Sequence, residues 1–204
     1  MKGRIQLALR NLAMTEAFQR YRIYLHPDLD LYRSYPDDNA WFTINEMWFG
    51  ASWEGHPYPF RITLGIHKES GVGQPLRLVA TGEMGGPLQD SVWRGVWQSV
   101  GRSFEVPTAE WIDIEIGYRQ GDRSSGRFYV AVGRRPGAAP TTLIDVHDWT
   151  YSPASREPVP MTHWQPLKFY TSDRIISHVT GRGGTAQLFF DDLEIRNRWP
   201  SERM

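Results

Sequence analysis

The segment that decides the fold reads Phe60-Arg61-Ile62-Thr63-Leu64-Gly65-Ile66-His67. Its apolar residues occupy every second position and alternate with polar residues or glycine. Because successive side chains of a β-strand point to opposite faces, this period of two predicts a strand with one buried and one polar face. Such a strand supplies half of its side chains to a hydrophobic core.

The same period recurs along the whole chain and predicts strands at residues 20–26, 112–116, 128–132 and 167–170. Further strands are expected near residues 3–10, 41–49, 76–83, 97–105 and 186–196. A polar, glycine-containing turn at residues 120–126 predicts that the strands on either side of it form a hairpin. About ten strands separated by Gly, Pro and Asp predict an all-β fold, a two-sheet antiparallel β-sandwich spanning residues 1–204 as one domain.

Helical periodicity is almost absent from the chain. The best candidates are a short helix at residues 172–179 and a turn at residues 27–32. Residues 136–166 are rich in proline and are predicted to form a long surface connection with at most one short strand, at 143–146. The residues on the apolar parity of their strands are predicted to share one core: Ile23, Leu25, Ile62, Leu64, Ile114, Phe128, Val130 and Phe169.

Composition excludes several classes of function. The chain has no cysteine, so disulfide frameworks, thiolate metal sites and cysteine nucleophiles are ruled out. Lys plus Arg and Asp plus Glu are equal at 23 each, so no overall field favours nucleic acid or an anionic membrane as partner. The chain is rich in aromatic residues, with nine Trp and nine Tyr. Flat exposed rings offer stacking surfaces for the apolar faces of sugars.

The N-terminal stretch does not predict a secretory leader, because Arg10 and Asn11 interrupt its apolar run too early. No run approaches the roughly 18 apolar residues that a membrane-spanning helix needs. The sequence leaves the location open between the cytoplasm and a secreted or periplasmic protein whose leader was removed.

Two passages resemble known domains. Residues 104–107, 111–115 and 126–130 are similar to the central hairpin of concanavalin A-like glucanase and lyase domains. The stretch Phe189-Phe190-Asp191-Asp192-Leu193 resembles the closing strand of the same jelly-roll superfamily. The resemblance implies a jelly-roll sandwich that acts on a carbohydrate polymer, such as a polysaccharide or an oligosaccharide.

One enzymatic branch of that superfamily can be tested on the sequence. Laminarinase-like glycosidases carry Glu-x-Asp-x-Glu, which places two carboxylates on one strand face about 5–5.5 Å apart. Here Asp113 and Glu115 match the later positions, but Trp111 occupies the nucleophile position. Glu110 is one residue off and points to the opposite face. A retaining hydrolase is therefore not predicted, and Asp113 and Glu115 are interpreted as part of a solvated outer face.

The other resemblance is to jelly-roll polysaccharide lyases of the alginate-lyase and heparin-lyase-like kind. In those enzymes a polar side chain meets the uronate carboxylate, a His or Tyr takes the C5 proton, and a Tyr protonates the leaving oxygen. Their Gln-Ile-His motif appears here as Gly65-Ile66-His67, and their Tyr-Phe-Lys-Ala-Gly stretch corresponds to Leu167-Lys168-Phe169-Tyr170. Their Arg-x-Glu-Leu signature is absent.

The resemblance, together with the polar faces of the strands, selects the candidate site. The expected catalytic residues are His67, Tyr170, Arg61 and Arg22. The expected substrate-binding residues are Trp48, Trp53, Glu46, Asn45, Lys168, Tyr24 and His26. At least three of Arg22, Arg61, His67, Lys168 and Tyr170 are predicted to converge on one groove, with Trp48 or Trp53 at its edge.

Asp191 and Asp192 are adjacent carboxylates that cannot both face the core. Superfamily members often place a structural calcium ion near such a strand, so these residues are its candidate ligands here. The proposed chemistry requires no other cofactor.

The leading hypothesis is a lyase that cleaves an acidic, uronate-containing polysaccharide by β-elimination. The sequence leaves two alternatives open, a non-catalytic carbohydrate-binding module and a laminin-G-like interaction domain. It predicts no nucleic-acid or membrane partner.

Overall fold

The protein consists of two antiparallel β-sheets packed face to face. The structure is a computed structural model that describes residues 2–37, 40–50, 58–85, 92–134 and 139–200. The eleven strands of these residues are β1 (Lys2–Leu9), β2 (Glu16–Leu25), β3 (Trp41–Phe49), β4 (Phe60–Lys68), β5 (Leu76–Gly85), β6 (Trp93–Val100), β7 (Trp111–Arg119), β8 (Arg127–Gly133), β9 (Thr141–Val146), β10 (His163–Ser172) and β11 (Leu188–Arg196). One sheet has the order β1-β10-β3-β4-β5-β6 and the other β11-β2-β7-β8-β9. The all-β sandwich fold predicted from the sequence is confirmed.

One hydrophobic core lies between the sheets because the apolar parity of each strand points inward. The predicted core residues Ile23, Leu25, Ile62, Leu64, Ile114, Phe128 and Val130 are fully buried, and Phe169 packs against them. Burial of each such side chain stabilises the fold by roughly 1.5–3 kcal/mol. The predicted hairpin is β7–β8, paired from Asp113–Gly133 to Arg119–Arg127.

The short helix α1 spans Asp173–Thr180 and matches the predicted one. Ser172 is its N-cap, with a side chain that accepts a hydrogen bond from the Ile175 amide at 3.4 Å. Ile175 and Val179, one turn apart, are its buried residues. The expected turn after residue 26 is a 3₁₀ helix at Pro27–Ser34. No helix among the described residues is long and apolar enough to cross a membrane.

The boundaries of β6 and β10 differ from the sequence prediction by several residues. The strand expected at 97–105 is β6, which begins at Trp93 and ends at Val100, because the chain turns after Gly101, where the Phe104 amide donates a hydrogen bond to Gly101 O at 3.3 Å. The predicted connection at 136–166 includes β9 and the first residues of β10, since His163 already pairs with Trp48. The prolines of this segment are the reason why the start of β10 was not predicted from the sequence.

Candidate functional site

The outward surface of the six-stranded sheet, called the candidate face below, carries six of the eleven predicted catalytic and substrate-binding residues. Directly opposed residues of antiparallel strands share a face. Trp48 is opposed to Arg61 and Trp41 to His67 across β3 and β4, and Tyr170 is opposed to Thr43 across β10 and β3. Six predicted residues lie on this face: Glu46, Trp48, Arg61, His67, Lys168 and Tyr170.

A β-bulge in β3 explains why Glu46 and Trp48 face outward. Thr43 pairs with Gly65 but Asn45 pairs with Leu64, so β3 carries one extra residue at this point. An extra residue shifts every later side chain to the other face. Glu46 therefore leaves the core although it shares the sequence parity of Phe42, which is buried.

The bulge turns Asn45 inward, which corrects its predicted role in substrate binding. Asn45 is fully buried and donates a hydrogen bond from Nδ2 to Pro166 O at 3.4 Å. Gln19 of β2 donates to the same carbonyl, also at 3.4 Å. Asn45 thus bonds within its own sheet, beside the Gln19 bond that joins the two sheets, and does not reach the candidate face.

His67 is a partly buried titratable group on the candidate face. Its ring lies over Gly65, where an added β-carbon would come within 2.9 Å of His67 Nε2. Burial lowers the pKa of His67 from 6.5 to about 4, because desolvation penalises the imidazolium. The imidazole is therefore neutral at pH 7 and can accept a proton.

Tyr170 lies among cationic and aromatic side chains. The Arg4 guanidinium is 4.9 Å and Lys168 Nζ 4.8 Å from the centre of its ring. The Trp41 ring lies 5.1 Å away, centroid to centroid. Tyr170, Thr43 and Gly65 are directly opposed on three neighbouring strands. The backbones of Tyr170 and of Gly65, over which the His67 ring lies, are therefore two strand spacings apart, about 10 Å.

The charged residues of the candidate face alternate in sign across four strands. Lys168 of β10 pairs with Glu46 of β3, Glu46 Oε1 lies 3.9 Å from Arg61 Nη1, and Arg61 Nε contacts Glu83 Oε2 at 2.6 Å. The Lys168 side chain is fully buried, and this burial lowers its pKa against the opposing effect of Glu46. The carboxylates of Glu46 and Glu83 thus offset the positive charge of Lys168 and Arg61 on this face.

Aromatic side chains lie beside Arg61, on the candidate face. Trp48 stacks on His163 with ring centroids 3.7 Å apart and planes within 4°. Trp93 lies under the Arg61 guanidinium at 4.3 Å. Trp53, the other predicted stacking residue, lies outside the described residues.

A cleft of about 460 Å³ opens beside His67, at the end of the face formed by β4, β5 and β6. Arg77, which opposes His67, and Gln98 and Arg102 contribute its polar lining. Arg77 Nε and Arg102 Nη1 both contact Glu69 Oε1, at 3.5 and 3.3 Å. Arg77 was not among the predicted site residues, although it lies between the buried Leu76 and Leu78 in the same period-two pattern.

The structure places Arg22, Tyr24 and His26 on the opposite side of the sandwich, which corrects their expected convergence with His67. Their strand, β2, pairs with β7 and β11 in the five-stranded sheet. Arg22 contacts Asp113 at 3.8 Å and Asp192 at 3.5 Å. The alternation of polar and apolar residues correctly predicted that these side chains of β2 point outward. It does not predict to which of the two sheets β2 belongs.

Glu115 also departs from its interpretation as a solvated residue. It lies on the outer side of the five-stranded sheet but is only 5% exposed. Its opposite neighbour on β8, Ala131, belongs to a small buried cluster with Phe18, Tyr129 and Trp199. Trp199 covers the part of the sheet around Ala131.

Asp191 and Asp192, the predicted calcium ligands, are both exposed on β11. Asp192 has a positive φ of 52° and faces Arg22. Within the described ranges, no three His, Asp or Glu side chains group closely enough to hold a metal ion.

Comparison with known proteins yields likeness in structure only. No protein-family model matches the chain, and no curated protein matches it. A crystal structure of an endo-β-1,4-glucuronan lyase from the fungus Trichoderma reesei matches with a TM-score of 0.54 and 10% identity, over 95% of this chain and 74% of that one. A marine alginate lyase from Aplysia kurodai has a TM-score of 0.49 and 12% identity, over 90% and 70% of the two chains.

Alginate lyase Aly36B matches with a TM-score of 0.48 and 11% identity, over 95% of this chain and 79% of that one. The likeness to the glucuronan lyase shows that this chain shares the fold of that protein.

Proposed function

We propose that the chain binds an acidic polysaccharide along the candidate face and cleaves it by β-elimination. The observation that carries the proposal is the neutral imidazole of His67, held over Gly65 in the cross-strand row that contains Tyr170. The fold shared with a glucuronan lyase supports the same class of substrate.

The proposed reaction breaks the C5–H bond and the C4–O bond of a uronate and forms a C4=C5 double bond. His67 takes the C5 proton, and Tyr170 gives its phenolic proton to the leaving oxygen. Arg77, which is directly opposed to His67, would stabilise the charge that develops on the substrate carboxylate. Arg61 lies six residues away on β4, about 20 Å along the strand, and would meet a carboxylate of another sugar unit of the bound chain. An anionic sugar next to His67 raises the pKa of its imidazole, which makes it a stronger base in the complex.

The test is incubation with alginate, glucuronan and pectate while the ultraviolet absorbance of the unsaturated product is followed. Neither binding nor hydrolysis makes that product. We expect an absorbance rise with at least one polymer, and its loss in His67→Ala and Tyr170→Phe with binding largely kept, because these groups move protons only in the transition state. Arg61→Ala should weaken binding as well.

Matched controls are His147→Ala, at an exposed histidine, and Tyr129→Phe, on the outer side of the other sheet. Both should react at the wild-type rate. Turnover that persists in His67→Ala and Tyr170→Phe would contradict the assignment of the two residues.

A non-catalytic carbohydrate-binding module is the second candidate. It is favoured by the alternating ion pairs from Lys168 to Glu83, which already neutralise much of the cationic charge on the face, and by the tryptophans Trp41 and Trp48 beside them. This second function would be supported if a polysaccharide binds the wild-type protein while none of the polymers gives an absorbance change.

A further inference from the structure

A row of three aromatic side chains crosses the outer side of the five-stranded sheet, away from the candidate face. Phe189 of β11 is directly opposed to Tyr24 of β2, and Tyr24 is directly opposed to Trp111 of β7. The ring centroids are 5.8 Å apart in the first pair and 5.4 Å in the second. The three rings, called the aromatic row below, therefore form a continuous strip across three strands.

The aromatic row is partly open to solvent. Phe189 is 40% exposed, and Tyr24 and Trp111 are half-buried. Elsewhere on the same side, the rings of Phe18 and Tyr129 are buried under Trp199, whose indole lies so close to Gly117 that an added β-carbon would be 2.5 Å from it. The chain thus covers one aromatic group of this sheet with its own C-terminal segment and leaves the aromatic row accessible.

Polar side chains border the aromatic row on both sides. His26, whose amide bonds to Gln187 O, lies beyond one edge. Arg22 lies beyond the other edge, between Asp191 and Asp113 in the next cross-strand row, and its guanidinium is 5.1 Å from the Trp111 ring. An apolar strip between hydrogen-bonding groups suits a sugar chain, whose CH faces stack on rings while its hydroxyls meet polar groups.

The charge of this surface selects among glycans. Arg20, Arg22 and Arg196 share this surface with five carboxylates on β7 and β11: Asp113, Glu115, Asp191, Asp192 and Glu194. A polyanion would meet an excess of like charge here. A neutral sugar chain carries no such penalty.

We propose that the aromatic row is a second glycan-binding surface, specific for neutral polysaccharides and separate from the candidate face. The proposal stands independently of the lyase reaction, because none of its residues takes part in that reaction. Two surfaces on opposite sides of the sandwich would let the protein hold one polymer while the candidate face engages another.

The test is native gel electrophoresis of the whole chain through gels that contain β-glucan, xyloglucan, galactomannan or alginate. We expect at least one neutral polysaccharide to retard the wild-type protein. Trp111→Ala and Tyr24→Ala should each weaken that binding by about tenfold, the scale of one lost stacking contact. Phe189→Ser, at the most exposed ring, tests the same surface with little risk to folding.

Trp48→Ala and His67→Ala provide the matched controls on the candidate face. Both should keep the wild-type affinity for the neutral polysaccharide, and retardation in alginate should not depend on Trp111. The proposal is overturned if no neutral polysaccharide retards the wild type, if the aromatic-row variants bind as well as the wild type while their Tm is unchanged, or if Trp48→Ala loses the binding instead. The first of these outcomes leaves the lyase assay unaffected.

Discussion

The imidazole of His67 lies on the backbone of Gly65, two residues earlier on the same strand. A β-carbon at Gly65 would come within 2.9 Å of His67 Nε2 and equally close to the Phe42 carbonyl oxygen. Only a residue without a side chain leaves this space, so Gly65 positions the proposed catalytic base.

Gly65→Ala is therefore expected to push the imidazole away from the sheet into solvent. NMR titration should show the pKa of His67 rising from about 4 toward 6.5, and the rate of β-elimination should fall with it. The matched control is Gly95→Ala on β6, where no atom lies within 4 Å of the added carbon. A His67 pKa that stays near 4 in Gly65→Ala would show that the glycine does not hold the ring in place.

Burial of His67 also predicts a pH dependence of stability. The unfolded chain binds a proton at this histidine below pH 6.5, whereas the folded protein does so only below about pH 4. The unfolded state therefore carries more protons in this window, and the free energy of unfolding should fall as the pH drops from 6.5 to 4 and then level off. The loss from this one group is on the order of 3 kcal/mol.

Urea unfolding at several pH values measures this dependence. His67→Gln should flatten the stability curve between pH 6.5 and 4, since glutamine does not titrate. An equally steep fall in the variant would assign the effect to other groups.

The buried ion pair between Lys168 and Glu46 predicts a non-additive pair of substitutions. Glu46→Gln leaves the buried ammonium without its carboxylate and should cost about 3–5 kcal/mol of unfolding free energy. The double variant Glu46→Leu with Lys168→Met removes both charges and should recover much of that loss. A double-mutant cycle by urea unfolding checks this, and additive effects would mean that the two charges do not interact strongly.

Two tryptophans on neighbouring strands should respond differently to truncation. Trp48→Ala, on the candidate face, should weaken binding of an acidic polysaccharide by about 1–3 kcal/mol and leave the Tm nearly unchanged. Trp164→Ala, at a core residue only 2% exposed, should instead cost about 3–5 kcal/mol of stability. Calorimetric titration and thermal melts separate the two outcomes, and a large fall in Tm for Trp48→Ala would identify it as a packing residue.

The alternation of apolar and polar residues is enough to predict which side of most strands is buried. Ile62 and Leu64 lie in the core and Arg61 and His67 point outward, as their alternation predicts. Alternation is a local property of an extended chain, because each residue reverses the side-chain direction regardless of what the strand later pairs with. The same argument predicted the β7–β8 hairpin, whose strands are joined by a short turn.

Tertiary structure alone decided which outward faces meet. Arg22 and His67 both occupy the polar face of an alternating strand, yet β2 joins the five-stranded sheet and β4 the six-stranded one. Alternation is the same in either sheet, and the pairing of strands far apart in sequence depends on the packing of the whole chain. The bulge between Thr43 and Asn45, which turns Asn45 inward and Glu46 outward, has the same origin, since it is visible only in the register of β3 against β4.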